Sequence, residues 1–511
     1  MKDKGYNITR RDALKSAALA GLTAPLTLGA LSSNEEVDNL ILKENQKEGT
    51  SSWQLSYVKS EDYRSEMIEG YCSKTSLRSG EPIDIFISTN VASEVYIDIY
   101  RMGYYNGKGG SFKKKIGPLN TEHQSLPPVG KDRLRECKWN KTVSLTIPDD
   151  WVSGVYLGKL SSTSHRYQSY IIFVVRDDRE ADLLVQTSDT TWQAYNKWPD
   201  NYSLYDTDPP NRPVNGTTWI SYDRPYGKYP QVVDQPLSQG SGEFLLWEYP
   251  LCYWLEKQGY DVTYCSNIDT HIDPEGLNRI KCFVSVGHDE YWSVEMYNNV
   301  QSAKENGLNL AFLCGNSIYS LVPLNQKNAD GRPFRLLHRD GFFGGLGNDK
   351  VNATPYMANE PWTRHGPSER SLIGARTMVP FNGSGDWIIK NENHWIFDGL
   401  DIKNGERIPG LVGWEHHGDP LDMDQLEVIA EGETINDSNE KSHYTSTVYA
   451  GPRGNWVFNA ATIFWSTGLS QPPGFVPPYS HFGRPHGVDH RVQRITSNFF
   501  SKCGIKTNVK Y

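Results

Sequence analysis

The sequence has no basic stripe. Its 52 Lys and Arg face 61 Asp and Glu, for a formal net charge of −9. Sequence-independent nucleic-acid binding needs clustered cations, so that class is excluded. No apolar run beyond residue 31 is long enough to span a membrane. The seven cysteines are scattered and form no C-x-x-C pair. Cys72 with Cys137 is the one combination worth weighing as a disulfide, whereas Cys282 and Cys314 sit in or at the end of apolar runs of the kind that bury free thiols. Also missing are a G-x-S-x-G nucleophile elbow, an H-E-x-x-H zinc helix and a G-x-G-x-x-G turn after a strand. The "GFFGGLG" stretch at 341–347 lacks the lysine and the strand–helix setting of a phosphate loop. There is no internal repeat and no low-complexity tract.

What is there begins with a leader. "ITRRDALKSAALAGLTAPLTLGALSS" puts a charged start before a weakly apolar stretch, Ala17 to Leu31, too short and too interrupted by Gly, Thr and Pro for a membrane span. Thr9 to Lys15 resembles the twin-arginine export motif, with Ala13 standing where a bulky apolar residue is usual. Ala30-Leu31-Ser32 is a small-x-small cleavage site. Residues 1–33 are therefore expected to be a signal peptide that sends the protein to the periplasm or the extracellular space, already folded. Removing its five positive and two negative residues leaves the remainder more acidic. Residues 34–55 are polar and read as a linker.

The rest divides in two. From 56 to 177 the pattern is alternating: Ile83, Ile85, Ile87; Val95, Ile97, Ile99; Val143, Leu145, Ile147. Short alternating strands between turn clusters predict an immunoglobulin-like antiparallel β-sandwich. From 181 to 511 continuous apolar runs alternate with helical stretches: "ADLLVQT", "YDVTYC", "KCFVSV" and "LNLAFLC". That predicts an α/β domain with a parallel sheet, flavodoxin-like or class I glutamine-amidotransferase-like. A β-rich insertion covers about 325–450, after which "GNWVFNAATIFWSTGL" rejoins the sheet.

Parallel α/β sheets bind ligands beyond the carboxyl ends of their strands. The segments after the apolar runs are "SDTTWQAYN", "SNIDTH", "GHDEYW" and "GNS", and all four should open on one rim. Glu290 there is a metal ligand or general base, or simply a helix-opening carboxylate. His288 is a general acid/base or a hydrogen-bonding loop histidine. Asp289 should face away from both and act as a cap or scaffold. Asn316 steadies an oxyanion or makes a turn. Tyr195 is a phenolate ligand, a proton donor or a packing residue. A phenol ionises at neutral pH only beside a strong positive charge, so a tyrosine ligand implies a hard cation such as ferric iron. His481, His486 and His490 lie in a Gly- and Pro-containing loop, and adjacent His416 and His417 suit one metal ion poorly.

"TWQAYN", "SYDRPY", "WLEKQGYDV", "GHDEYWS" and "GLNLAFLCGN", in this order, together resemble the large subunit of N,N-dimethylformamidase and its relatives, over roughly residues 60 to 505. "IYRMGYYNGKGG" and "DWVSGVYLGKL" extend the likeness into the sandwich. The resemblance implies an amidohydrolase with a mononuclear ferric site held by two tyrosines and a glutamate. Glu290 and Tyr195 match two of those ligands, and Tyr156 in "SGVY" is assigned as the second tyrosine. His288 and Asn316 match the family's histidine and asparagine beside the metal, with Trp192, Asn196, Tyr291 and Trp292 around the substrate. The expected partner is a small amide, with a companion small subunit or a homo-oligomer left open. The export leader makes dimethylformamide itself an unsuitable natural substrate. Two other classes compete: a non-catalytic cell-envelope or carbohydrate-binding protein that keeps the fold, and a glycan hydrolase. Adjacent Asp289 and Glu290 cannot easily flank a glycosidic bond, which ranks the last reading lowest.

Overall fold

The computed structural model describes residues 7–9, 39–59, 62–206, 218–339, 368–477 and 487–507. The leader apart from Asn7–Thr9, the Gly-rich 341–347 stretch, His481 and His486 lie outside the described residues. Asn7–Thr9 pairs antiparallel with Tyr57–Lys59. The fold is β-rich, with mixed sheets and few helices.

The alternating segments form two facing sheets. One has five strands, in the order Ser76–Leu77, Gln168–Val175, Gly154–Ser162, Ser93–Met102, Gly110–Thr121; the other has three, Ile68–Cys72, Pro82–Thr89 and Val143–Thr146. Ile83, Ile85 and Ile87 meet Val95, Ile97 and Ile99 in one core between them. The opposite face of the five-stranded sheet does not face water. Val155, Leu157, Tyr170 and Ile172 join a second core with Leu183, Val185, Trp254 and Val284. The sandwich and the α/β portion thus share an apolar interior.

A nine-stranded mixed sheet carries the site. Its parallel part runs Val262–Ser266, Ala181–Thr187, Ile280–Gly287, Asn309–Cys314, Trp456–Asn459. In chain order that is second, first, third, fourth, fifth. The connections leave in opposite directions from the adjacent first and third strands, which makes a topological switch point and opens a crevice at their carboxyl ends. Trp456–Asn459 rejoins the sheet as expected. The insertion is not a separate body, however. Lys441–Ala450, Leu426–Ile435, Gly383–Ile388 and Arg407–Trp414 continue the same sheet antiparallel.

Two further expectations are corrected. Residues 39–55 are packed rather than a linker: Asn39 caps the helix Leu40–Asn45, and Ile41, Trp53 and Leu55 are buried in the shared core. Three apolar anchors in a polar stretch are enough to dock it. Cys72 and Cys137 are both free, buried thiols in different apolar clusters.

One ion pair crosses the shared interior. Arg101, on a sandwich strand, donates to both oxygens of Glu256 on the helix Tyr249–Lys257, at 2.8 and 3.0 Å. Its remaining N–H groups reach the Ser153 carbonyl and the Tyr105 hydroxyl. Glu256 also accepts from Asn45 and Tyr264, each at 2.8 Å. Both charged side chains are fully buried. Removing one partner of such a pair strands the other charge, so Glu256→Gln should lower unfolding stability by about 3–5 kcal/mol. Urea denaturation followed by tryptophan fluorescence checks this; a loss under about 1 kcal/mol would contradict it.

Candidate functional site

Gly287 ends the third parallel strand in the left-handed region, φ +67°. A Cβ there would lie 2.5 Å from the Cβ of Trp247, so only glycine fits. The turn it permits throws His288 and Glu290 to one side, with His288 Nε2 3.5 Å from Glu290 Oε2. Asp289 points the other way, as expected of a scaffold residue. It accepts from Gln186, Asn267 and Ser285 at 2.8 to 3.0 Å.

Tyr195 ends the helix Asp189–Tyr195, which follows the first strand. Its hydroxyl donates to Glu290 Oε2 at 2.5 Å. A second phenol arrives on the same carboxylate. Tyr205 OH donates to Tyr195 OH and lies 3.1 and 3.2 Å from the two Glu290 oxygens. Tyr291 donates to Tyr205 at 2.8 Å. Burial, and then the Glu290 charge, hold the Tyr195 and Tyr205 phenols well above the usual pKa. In the absence of a cation both keep their protons.

His288 lies between two more carboxylates. Its Nδ1 is 3.0 Å from Glu243 Oε2, and its Nε2 is 3.1 Å from Glu415 Oε2. Burial opposes its charge, but Glu415 and Glu243 outweigh that and hold the imidazole well above its usual pKa. Burial raises both Glu243 and Glu415, against the pull of His288. Asn316 stands beside Glu415, at φ +56°. Its neighbour Gly315 lies so close to the Glu415 carbonyl that a Cβ would sit 2.3 Å from that oxygen. The ring nitrogens of His417 hold Ser317 N at 3.0 Å and Asn459 at 2.8 Å, and burial keeps this imidazole neutral with a pKa of about 4.

A family model described as N,N-dimethylformamidase beta subunit-like, C-terminal, matches residues 96–480. The chain belongs to that family. The match spans every residue of the cluster. It supports a hydrolase of dimethylformamidase-like type and bears out the resemblance read from the sequence. No curated protein matches the chain.

Within this dimethylformamidase-like framework the second tyrosine is corrected. Tyr156 is buried in the sandwich core, stacked between Trp151 and Phe173, and its hydroxyl donates to the Val152 carbonyl at 2.8 Å. Strand parity explains this: neighbours Val155 and Leu157 face the shared interior, so Tyr156 faces away from it. The tyrosine that lies beside Tyr195 and Glu290 is Tyr205. Trp192 and Asn196 are also not brought to the cluster by their polar atoms. The Trp192 indole donates to Glu248 at 2.8 Å, and the Asn196 amide is spent on Pro225 O, Gly227 N and Trp198 N. Trp292 packs edge-on against Phe283 in the core. Tyr291 alone of the four expected pocket residues reaches the tyrosine pair. Sequence reading missed Tyr205, Glu243 and Glu415. Tyr205 and Glu243 do not follow an apolar run, and Glu415 follows the strand Arg407–Trp414 of the insertion, outside the parallel strands whose ends mark the rim.

The residues present fit a cation. His288, Glu290 and Glu415 offer ligand atoms within 4.8 Å of one another. His288 Nε2 and Glu415 Oε2 pair only with each other, as an ion pair at 3.1 Å outside hydrogen-bond geometry, and both Asn316 amide atoms are buried without a geometric hydrogen bond. Two phenols converging on a carboxylate add hard oxygen donors.

The helix that presents Tyr195 is held by two buried acids. Glu248 accepts from Ser188 N and Trp192; Asp189 accepts from Asn267 N and Tyr222. Burial raises the pKa of each to about 8. Both stay protonated in the folded protein up to about pH 8, whereas the unfolded chain releases those protons above about pH 4, so rising pH favours unfolding. Stability should fall between about pH 4 and 8, by up to about 1.4 kcal/mol per pH unit for each group. Glu248→Gln should flatten that slope in urea melts taken across this range, and an unchanged slope would refute the assignment.

Proposed function

We propose that this chain is an exported, metal-dependent hydrolase of a linear amide C–N bond, with a mononuclear ferric ion held by Tyr195, Tyr205 and Glu290. The observation that carries this reading is the meeting of two buried phenol hydroxyls on one carboxylate at the switch point, beside a histidine set between carboxylates. Tyr195 and Tyr205 are preferred as ligands over His288 because Glu243 and Glu415 already engage both ring nitrogens of that histidine. When bound, the ion polarises the amide carbonyl and lowers the pKa of a coordinated water.

The chain's own groups supply the rest. Asn316 Nδ2 orients the carbonyl oxygen of the substrate. Glu415 Oε2 accepts a proton from the attacking water. His288 Nε2, its ring oriented by Glu243 at Nδ1, delivers a proton to the departing amine. Tyr291 and the rings around His288, including Trp414 at a centroid distance of 5.3 Å, keep the space small and dry. The natural substrate is read as a small amide other than dimethylformamide, since the leader exports the chain by the twin-arginine route to the periplasm or beyond. We also read the sandwich as immunoglobulin-like and the parallel strands, from their order, as flavodoxin-like.

Metal content and the visible spectrum of the purified protein test this. Iron at one per chain, with a tyrosinate-to-ferric absorption band, is expected. Tyr195→Phe and Tyr205→Phe should each weaken and shift the band, and the double variant should abolish it. Tyr156→Phe should keep it, losing only about 1 kcal/mol of stability with its hydrogen bond to Val152. A colourless, metal-free protein after iron reconstitution would favour the non-catalytic binding role instead.

A further inference from the structure

Tyr195 and Tyr205 are ten residues apart, and no regular element joins them. What brings them together is a loop closed on itself. Leu204 N donates to Ala194 O at 2.8 Å, and Tyr202 N to Lys197 O at 3.2 Å. Asp206 accepts from Ser203 N and Oγ and from Lys197 Nζ at 2.6 to 2.9 Å. Inside this loop the carbonyls turn inward, and one side chain collects them.

That side chain is Arg224, from the "SYDRPY" stretch. Its Nη2 donates to Gln193 O at 3.0 Å and Asn196 O at 3.2 Å. Its Nη1 donates to Trp198 O at 3.1 Å and Tyr202 O at 2.9 Å, and its Nε to Gln193 Oε1 at 3.2 Å. A guanidinium has five N–H donors, and all five are spent here, two on Gln193 of the helix and three on the loop that follows it. Arg224 is buried, and no carboxylate pairs with it at ion-pair distance among the described residues. Burial lowers its pKa to about 10, which leaves it charged at neutral pH. The partial negative charge of the carbonyls, two of them at the end of the helix bearing Tyr195, stands in for a counter-ion.

The arginine is itself fixed on both sides. Asp223 is tied to Arg335 and Arg332 at 2.8 Å. Pro225 O and Gly227 N hold the Asn196 side chain at 2.9 and 3.0 Å. A buried cation without an ionic partner is costly to keep. Its whole bonding capacity goes to the helix that bears Tyr195 and to the turn that leads from it to Tyr205.

We propose that Arg224 is a positioning residue that sets the spacing of the Tyr195 and Tyr205 hydroxyls for the metal. This rests on the reading of those tyrosines as ligands. Lysine cannot replace it fully, because an ammonium has three donors at one point and cannot span four carbonyls.

Iron titration and visible spectra of the full chain test the proposal, with Glu256→Gln as a variant destabilised at the distant interior ion pair. Arg224→Gln should bind iron about ten- to a hundredfold more weakly and show a weakened or shifted tyrosinate band. Arg224→Lys, which keeps the charge and the fold, should fall between it and the wild type. Glu256→Gln should lose stability yet keep wild-type iron affinity and band. The proposal is overturned if Arg224→Lys matches the wild type in both readouts, or if Glu256→Gln loses the band as Arg224→Gln does. A wild-type protein with no band after reconstitution instead overturns the ligand reading, and this inference with it.

Discussion

The surrounding structure depends on the burial of Glu290 among groups that compete for it. Its carboxylate receives a phenol, lies within reach of a second and faces Nε2 of an imidazole, which Glu415 shares, while Glu243 takes Nδ1 on the other side. Like charges this close, shut away from water, are tolerated only where protons or a cation balance them. The chain provides protons on two tyrosines and an imidazolium. Those are the groups a hard cation would displace or enlist. The same constraint explains why the supporting residues are themselves polar and fully engaged: Asp289 with three donors, Asn196 with the turn, His417 with Ser317 and Asn459.

Position comes from topology, and precision from tight backbone. The switch point places the ends of the first and third strands side by side, so Tyr195 and Glu290 meet although 95 residues separate them. Gly287 and Gly315 then let the backbone pass within contact of Trp247 and Glu415, where any side chain would collide. Asn316 accepts a left-handed conformation that most residues resist, and its amide ends beside Glu415.

Much of the fold and of the cluster is legible in the sequence, and for definable reasons. Alternation marks the sandwich strands and continuous apolar runs mark the parallel ones, because each pattern reports how many faces of a strand are buried. The residues directly after a buried parallel strand are constrained to the rim, which singles out His288, Glu290, Tyr195 and Asn316 from the sequence alone. Tyr205 is not legible because loops carry no period, and Glu415 because it ends an antiparallel strand of the insertion, Arg407–Trp414, to which the rim rule for parallel strands does not apply. Tyr156 is turned into the sandwich core by strand parity, since the residues on either side of it face the shared interior. The packing of 39–55 is hidden because three apolar anchors barely change the composition of a polar stretch.

The order of strands in the large sheet also bears on how the chain is made. Trp456–Asn459 lies between Asn309–Cys314 and Lys441–Ala450, so the sheet has a gap until residue 459 has left the ribosome. Glu415 arrives with the strands that fill it. During synthesis the Asn309–Cys314 edge therefore waits, unpaired and made of residues that are all buried in the finished protein. Such an edge is a template for association with other chains and calls for a chaperone during its exposure. Closure is long-range and comes late, which makes the reactive cluster among the last parts of the molecule to exist.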